Sequence, residues 1–177
     1  MNIFYLHPLA PVAAGMHCDK HVGKMLIESC QLLATAHHHF GNGDKVTYKS
    51  THKNHPSAIW VRQSPLHYQY VVTLAMYLGR EFFKRYGHYH KSAQVLTDEL
   101  RNPPPALNAM PFTWSEPPLA MPDEFKSDNA VASYRKYYAS KIKTMDMKYY
   151  QGTRMAPDWL LQLWNAPAFE GAINEAA

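Results

Sequence analysis

The chain has 177 residues, 46% hydrophobic and 13% aromatic, enough for one domain of ordinary size with a real core. No stretch approaches the ~20 apolar residues of a membrane span, and no basic segment followed by an apolar core opens the chain. A cytoplasmic protein is therefore expected, in the host-cell cytoplasm if phage-encoded. The net charge of +4 hides an asymmetry: residues 1–91 carry ten lysines and arginines against four acids, the remainder eight against ten. A basic first half is the pattern of a surface that meets a polyanion, nucleic acid first among candidates.

Met1–Leu6 is a short apolar run, read as extended and closed by His7-Pro8. From about Pro11 to His39, Val12, Met16, Val22, Met25, Leu26, Leu33 and Ala36 recur at three- and four-residue steps. That period predicts one long amphipathic helix, locally weakened by Gly15 and Gly23. Cys18 and Cys30 on one such helix would stand roughly 18 Å apart, so both are read as reduced thiols. Gly41-Asn42-Gly43-Asp44 ends the helix in a loop that runs to Pro56.

A short helical piece around Ala58–Val61 follows. Then Ser64 and Pro65 cap a core helix to about Tyr86, with Val71, Val72, Leu74, Ala75, Leu78, Phe82 and Phe83 as its apolar face and Gly87 as its stop. Lys91–Arg101 reads as a shorter helix ended by Pro103-Pro104-Pro105. The seven prolines between Asn102 and Phe125 predict an ordered irregular excursion, pinned by burial of Leu107, Met110, Phe112, Trp114 and Leu119. A helix from about Asn129 to Met145 and a short one from Pro157 precede a frayed end. The expected fold is mainly α, a single compact domain of about five helices. Its parts are a basic, His-rich helical core over 1–101 that carries the site, a proline-rich wrap over 102–128, and C-terminal helices over 129–177.

All eleven histidines lie between His7 and His90. His17 and His21 stand four apart on the first helix, so both face one way, with Lys20 and Lys24 beside them. The spacing is compatible with a shared zinc completed by His52, His55, Cys18 or Asp19, although the glutamate of a metalloprotease motif is absent. The primary expectation is no cofactor, with zinc on His17, His21, His52 and His55 as the alternative. Thr51-His52-Lys53-Asn54-His55-Pro56-Ser57 is a polar loop entering a helix, a pattern suited to phosphate, with Arg62 one turn on. His37–His39, His88 and His90 receive no role. The tyrosines of the core helix read as packing rather than as a stacking platform.

The opening Met1-Asn2-Ile3-Phe4-Tyr5-Leu6-His7-Pro8, the later Lys53-Asn54-His55-Pro56, Tyr70, and the Arg85-Tyr86-Gly87 helix end resemble the pyrimidine dimer DNA glycosylase family, the phage-type endonuclease V. The chain is also similar to small bacteriophage proteins that share the Cys-Asp-Lys-His and Thr-His-Lys-Asn-His-Pro-Ser stretches. The resemblance covers roughly residues 1–90. It implies a helical DNA repair enzyme that grips the phosphate backbone and attacks the sugar C1′ of a flipped nucleotide with its terminal α-amine, while a carboxylate assists.

Because Asn2 is bulky after the initiator, that amine is expected on Met1; α-amines as a class titrate near neutrality and can act as nucleophiles. The family's Arg-Glu pair on the first helix is absent, so the carboxylate role falls on Asp19 or Glu28. Double-stranded DNA is the expected partner, held by Lys20, Lys24, Lys53, Asn54 and Arg62, with His21 and His55 as acid/base or orienting groups. No membrane and no obligate protein partner is expected. The alternatives are a noncatalytic DNA-binding protein on the same scaffold and a His-dependent metal enzyme acting on phage nucleotides or DNA bases.

Overall fold

The computed structural model describes residues 1–149 and 154–166. Among them are eight α-helices and no strand. In chain order they are α1 (Ala10–Gly15), α2 (Asp19–His39), α3 (Pro56–Val61), α4 (Pro65–Tyr86), α5 (Lys91–Val95), α6 (Pro105–Asn108), α7 (Ala130–Ala139) and α8 (Asp158–Trp164). A π-turn over Leu96–Leu100 extends α5 and a 3-10 turn over Ser140–Lys143 extends α7. The fraying expected at the end of the chain lies outside the described residues.

The 21-residue α2 and the 22-residue α4 form the central pair, and α1 and α3 both pack on α4. Gly23 permits the closeness of that pair: a Cβ there would lie 3.2 Å from the Phe82 ring. Ser64 caps α4 by accepting the Leu66 N–H at 3.2 Å, and Gly87 ends it in the left-handed conformation at φ 74°. Phe83, expected on the apolar face, is instead 40% exposed and stacks on Tyr89, because the buried arc of α4 passes through Leu78, Glu81 and Arg85.

The single helix expected over Pro11–His39 is two. The chain leaves α1 at Gly15, turns through Met16 and His17, and re-enters α2 after an extended Cys18. Side chains from afar hold this break open. Arg85 donates to the His17 carbonyl at 2.8 Å and the Gly15 carbonyl at 3.4 Å, Tyr149 donates to the Met16 carbonyl at 2.8 Å, and the Cys18 N–H donates to Tyr138 Oη at 2.8 Å. Groups that a continuous helix would have paired internally are thus satisfied by tertiary contacts. Both cysteines are free and buried.

Residues 102–128 wrap over α3 and α4 as expected of an ordered excursion. Trp60 Nε1 donates to the Ser115 carbonyl at 3.2 Å, the Ser115 N–H donates to His67 Nε2 at 3.0 Å, and Tyr134 donates to the Pro118 carbonyl at 2.6 Å. Leu107 and Met121 are buried there, whereas Phe112 and Trp114 remain 63% and 47% exposed. Hydrogen bonds, more than those two rings, pin the segment. Met1–Leu6 forms no ladder; Ile3, Phe4, Tyr5 and Leu6 are all buried in the core. No helix among the described residues is long and apolar enough to cross a membrane.

One ion-pair network fastens the α1–α2 turn to α4. The Arg85 guanidinium, fully buried, meets Asp19 at 3.0 Å and Glu81 at 3.5 Å, and Arg154 Nε donates to Glu81 at 2.7 Å. Burial alone would raise the Glu81 pKa; the hydrogen bond and charge of Arg154, with Arg85 and Lys84, win and hold it below the usual carboxylate range. Removing one partner strands the others, so Arg85→Met is expected to lose about 3–5 kcal/mol of stability in urea titration. A loss under about 1 kcal/mol would assign the turn's stability to its apolar packing instead.

Candidate functional site

The start of the chain lies along the N-terminal half of α2 and opens a cleft of about 390 Å³. Met1, Asn2 and Phe4 form one wall, Lys20, His21, Lys24 and Glu28 of α2 a second, and Tyr137, Lys141 and Thr144 of the C-terminal half a third. The Met1 α-amine stands 3.8 Å from Glu28 Oε2, which also accepts the Asn2 backbone N–H at 2.8 Å. Lys141 Nζ sits 3.9 Å above the Tyr137 ring. No ion pair joins Lys20, Lys24 or Lys141 to an acid among the described residues. The cleft is therefore cationic, with Glu28 as the carboxylate beside the amine.

His21 forms part of the floor. It stacks on Phe4 with centroids 5.3 Å apart, and its Nδ1 lies 3.1 Å from Tyr138 Oη. Burial lowers its pKa to about 3, with His17, Lys24, Lys141 and Lys20 adding to the effect. His21 is consequently neutral near pH 7, which removes an imidazolium acid and leaves an uncharged orienting or accepting ring.

His17 does not share a helix face with His21, since it belongs to the turn before α2. It is fully buried, its Nδ1 meets the Ala13 carbonyl at 2.8 Å, and burial lowers its pKa to about 4. Both imidazoles instead pack on Tyr138, at 5.7 and 5.2 Å.

The second polar stretch contributes no residue to the lining of the cleft. His55 is the N-cap of α3 and accepts the Ser57 N–H at 3.2 Å. Its pKa is lowered by burial, then by the charge of the Met1 α-ammonium and by His52. Lys53 and Asn54 are exposed and do not line the cleft, while Arg62 donates to the Lys53 carbonyl at 2.6 Å and so braces the loop. Asp19 is turned to Arg85 in the buried network described above. Among the described residues no three His, Cys, Asp or Glu side chains gather as metal ligands. The zinc alternative thus finds no assembled donor set there.

Tyr137 and Lys141 were not singled out by sequence reading. They lie in the half with an acidic balance, and the motif resemblance ended near residue 90. The usable signal was the Lys141–Lys143 cation pair just beyond an aromatic helix. Compared with protein-family models, with curated proteins and with solved structures, the chain has no match.

The two neutral histidines make stability depend on pH with a definite sign. Their folded pKa values lie below the ordinary 6.5, so the unfolded chain binds more protons and stability falls as pH drops from 6.5 toward about 4. Each contributes up to about 1.4 kcal/mol per pH unit in that window. Denaturant midpoints across the window should fall steadily, and His17→Gln should lessen the slope by up to about 1.4 kcal/mol per pH unit. The rest comes from His21 and from His37, His55, His67 and His90, whose pKa values burial also lowers. A flat profile would mean that these rings accept protons in the folded state.

Proposed function

We propose that the protein acts on DNA at the bond between base and sugar, in the manner of a glycosylase with lyase activity. The observation that carries this reading is the Met1 α-amine, 3.8 Å from Glu28 inside a cleft rimmed by three lysines. The earlier resemblance to the pyrimidine dimer glycosylases implies the same amine and a carboxylate on either Asp19 or Glu28, of which Glu28 is the one beside the amine.

In this reading the unprotonated amine attacks C1′ of a flipped nucleotide, the new C–N bond forms, and the base leaves with the bonding pair and takes up a proton. The amine's own proton passes to Glu28, which hands it to O4′ as the C1′–O4′ bond breaks and the sugar opens to an imine. Glu28, a carboxylate again, then removes a proton from C2′, and the 3′ phosphate leaves with the C3′–O bonding pair. Lys20, Lys24 and Lys141 hold the flanking phosphates, and neutral His21 orients the sugar without adding charge next to a developing cation. Asp19 has no part in the chemistry, because its carboxylate serves Arg85.

Incubation with an abasic duplex and with an ultraviolet-irradiated duplex, each with borohydride, tests the reading. A covalent adduct mapped by mass spectrometry to the Met1 peptide is expected. Glu28→Gln should lower strand cleavage by about a hundredfold or more. Duplex binding without any adduct or incision would instead support a noncatalytic DNA-binding protein. The lysines are tested separately: alanine at Lys20, Lys24 or Lys141 should each reduce the salt dependence of duplex binding by about one unit of log–log slope. An unchanged slope for all three would place the phosphates elsewhere.

A further inference from the structure

We infer that Asn2 is the positioning residue of the site: its side chain, braced by the proline-rich segment, fixes the first peptide so that the amine stays beside Glu28 and open to the cleft. The inference rests on the reading that this amine is the nucleophile.

Chain ends are ordinarily the least ordered part of a domain, because few contacts offset the entropy of fixing them. Here the second residue is only 8% exposed, and its backbone N–H and both polar atoms of its side chain are engaged. Its Oδ1 accepts the Ile3 N–H at 2.8 Å and the Phe4 N–H at 3.2 Å, an Asx turn closed on its own chain. Its Nδ2 donates to the Ala120 carbonyl at 2.9 Å, a contact 118 residues away. Its backbone N–H donates to Glu28 Oε2 at 2.8 Å. One residue thus ties the chain start to α2 on one side and to the proline-rich segment on the other.

The Asx turn leads directly into Phe4, which holds φ 45°, a left-handed conformation unfavourable for a residue with a Cβ. The surroundings enforce it. The Leu6 N–H donates to the Phe4 carbonyl at 2.8 Å, and the ring is gripped by His21, Tyr137 and Tyr138 with centroids 5.0–5.9 Å away. The bend at Phe4 falls within the deeply buried Ile3–Leu6 run, and Met1, at the start of the chain, has the cleft residues as neighbours. Only an amide fits these demands together. Aspartate could accept the two N–H groups but could not donate to Ala120, and it would set a second carboxylate near the amine. Serine or threonine could close the turn but not span to the segment.

Carbon-13 reductive methylation of the α-amine gives a readout that does not depend on DNA. In the natural protein the Met1 dimethylamine resonance should be shifted and single; in Asn2→Ala it should collapse to the position of a free chain end, with the far-ultraviolet dichroism retained. Borohydride trapping on an abasic duplex should slow by about a hundredfold in Asn2→Ala, while duplex binding changes by less than about threefold. Asn2→Asp, which keeps the turn, should trap slowly at neutral pH and recover as pH rises, because the added carboxylate favours the charged amine. An unchanged resonance and trapping rate in Asn2→Ala overturns the positioning role. If the natural protein traps nothing but its amine resonance still collapses in Asn2→Ala, the nucleophile reading fails and the positioning of the amine stands.

Discussion

Residues 2–6 are built into the core with no helix or strand of their own, and elements from the whole length of the chain supply their partners. Ile3 and Leu6 have almost no exposure, and the segment's polar groups are taken by four distant elements. Glu28 of α2 accepts from Asn2, Ala120 of the proline-rich segment accepts from the Asn2 side chain, Arg135 of α7 donates to the Leu6 carbonyl, and Tyr70 of α4 donates to the His7 carbonyl. A buried backbone segment without ladder partners is tolerable only when its N–H and C=O groups find such substitutes. These contacts hold Met1 against the cleft, beside Glu28.

The electrostatics of the cleft run against helix stability. Lys20 and Lys24 sit at the positive end of the α2 dipole, where cations are unfavourable, and the acid that would normally compensate, Asp19, is already neutralised by Arg85. Lys141 adds a third cation from the far wall. The cost is spread over a central helix pair with an extensive apolar core, which can carry it. The result is a standing positive potential around the amine and Glu28, with two histidines kept neutral by burial instead of adding further charge.

Features that depend on neighbours in sequence were legible: the Ser64-Pro65 cap, the Gly87 stop, the apolar stripe of α4 through Leu78, and the proline-rich wrap as an ordered segment. Features that depend on partners far away were not. The Met16–Cys18 break follows a helical pattern in sequence and is stabilised by Arg85, Tyr138 and Tyr149, none of which a local window contains. The expected Asn129–Met145 helix likewise tightens into a 3-10 turn at Ser140, and that turn delivers Lys141 to the cleft. The expected phosphate loop proved to be braced by its own Arg62, and none of its residues lines the cleft.

The choice between the two carboxylates of α2 was, by contrast, available from helical period alone. At about 100° per residue, Lys20, Lys24 and Glu28 fall within an arc of about 80°, and His21 and Met25 extend it to about 140°. These are the α2 residues that line the cleft. Asp19 and Glu28 are separated by nine positions, or about 180°, and therefore occupy opposite sides of the helix. Whichever side carries the paired lysines must carry Glu28 and must turn Asp19 away. Arg85 meets Asp19 on that opposite side, where α2 packs on α4. A carboxylate adjacent to the lysines in sequence is thus the wrong one in space, and the one two turns on is brought to the amine.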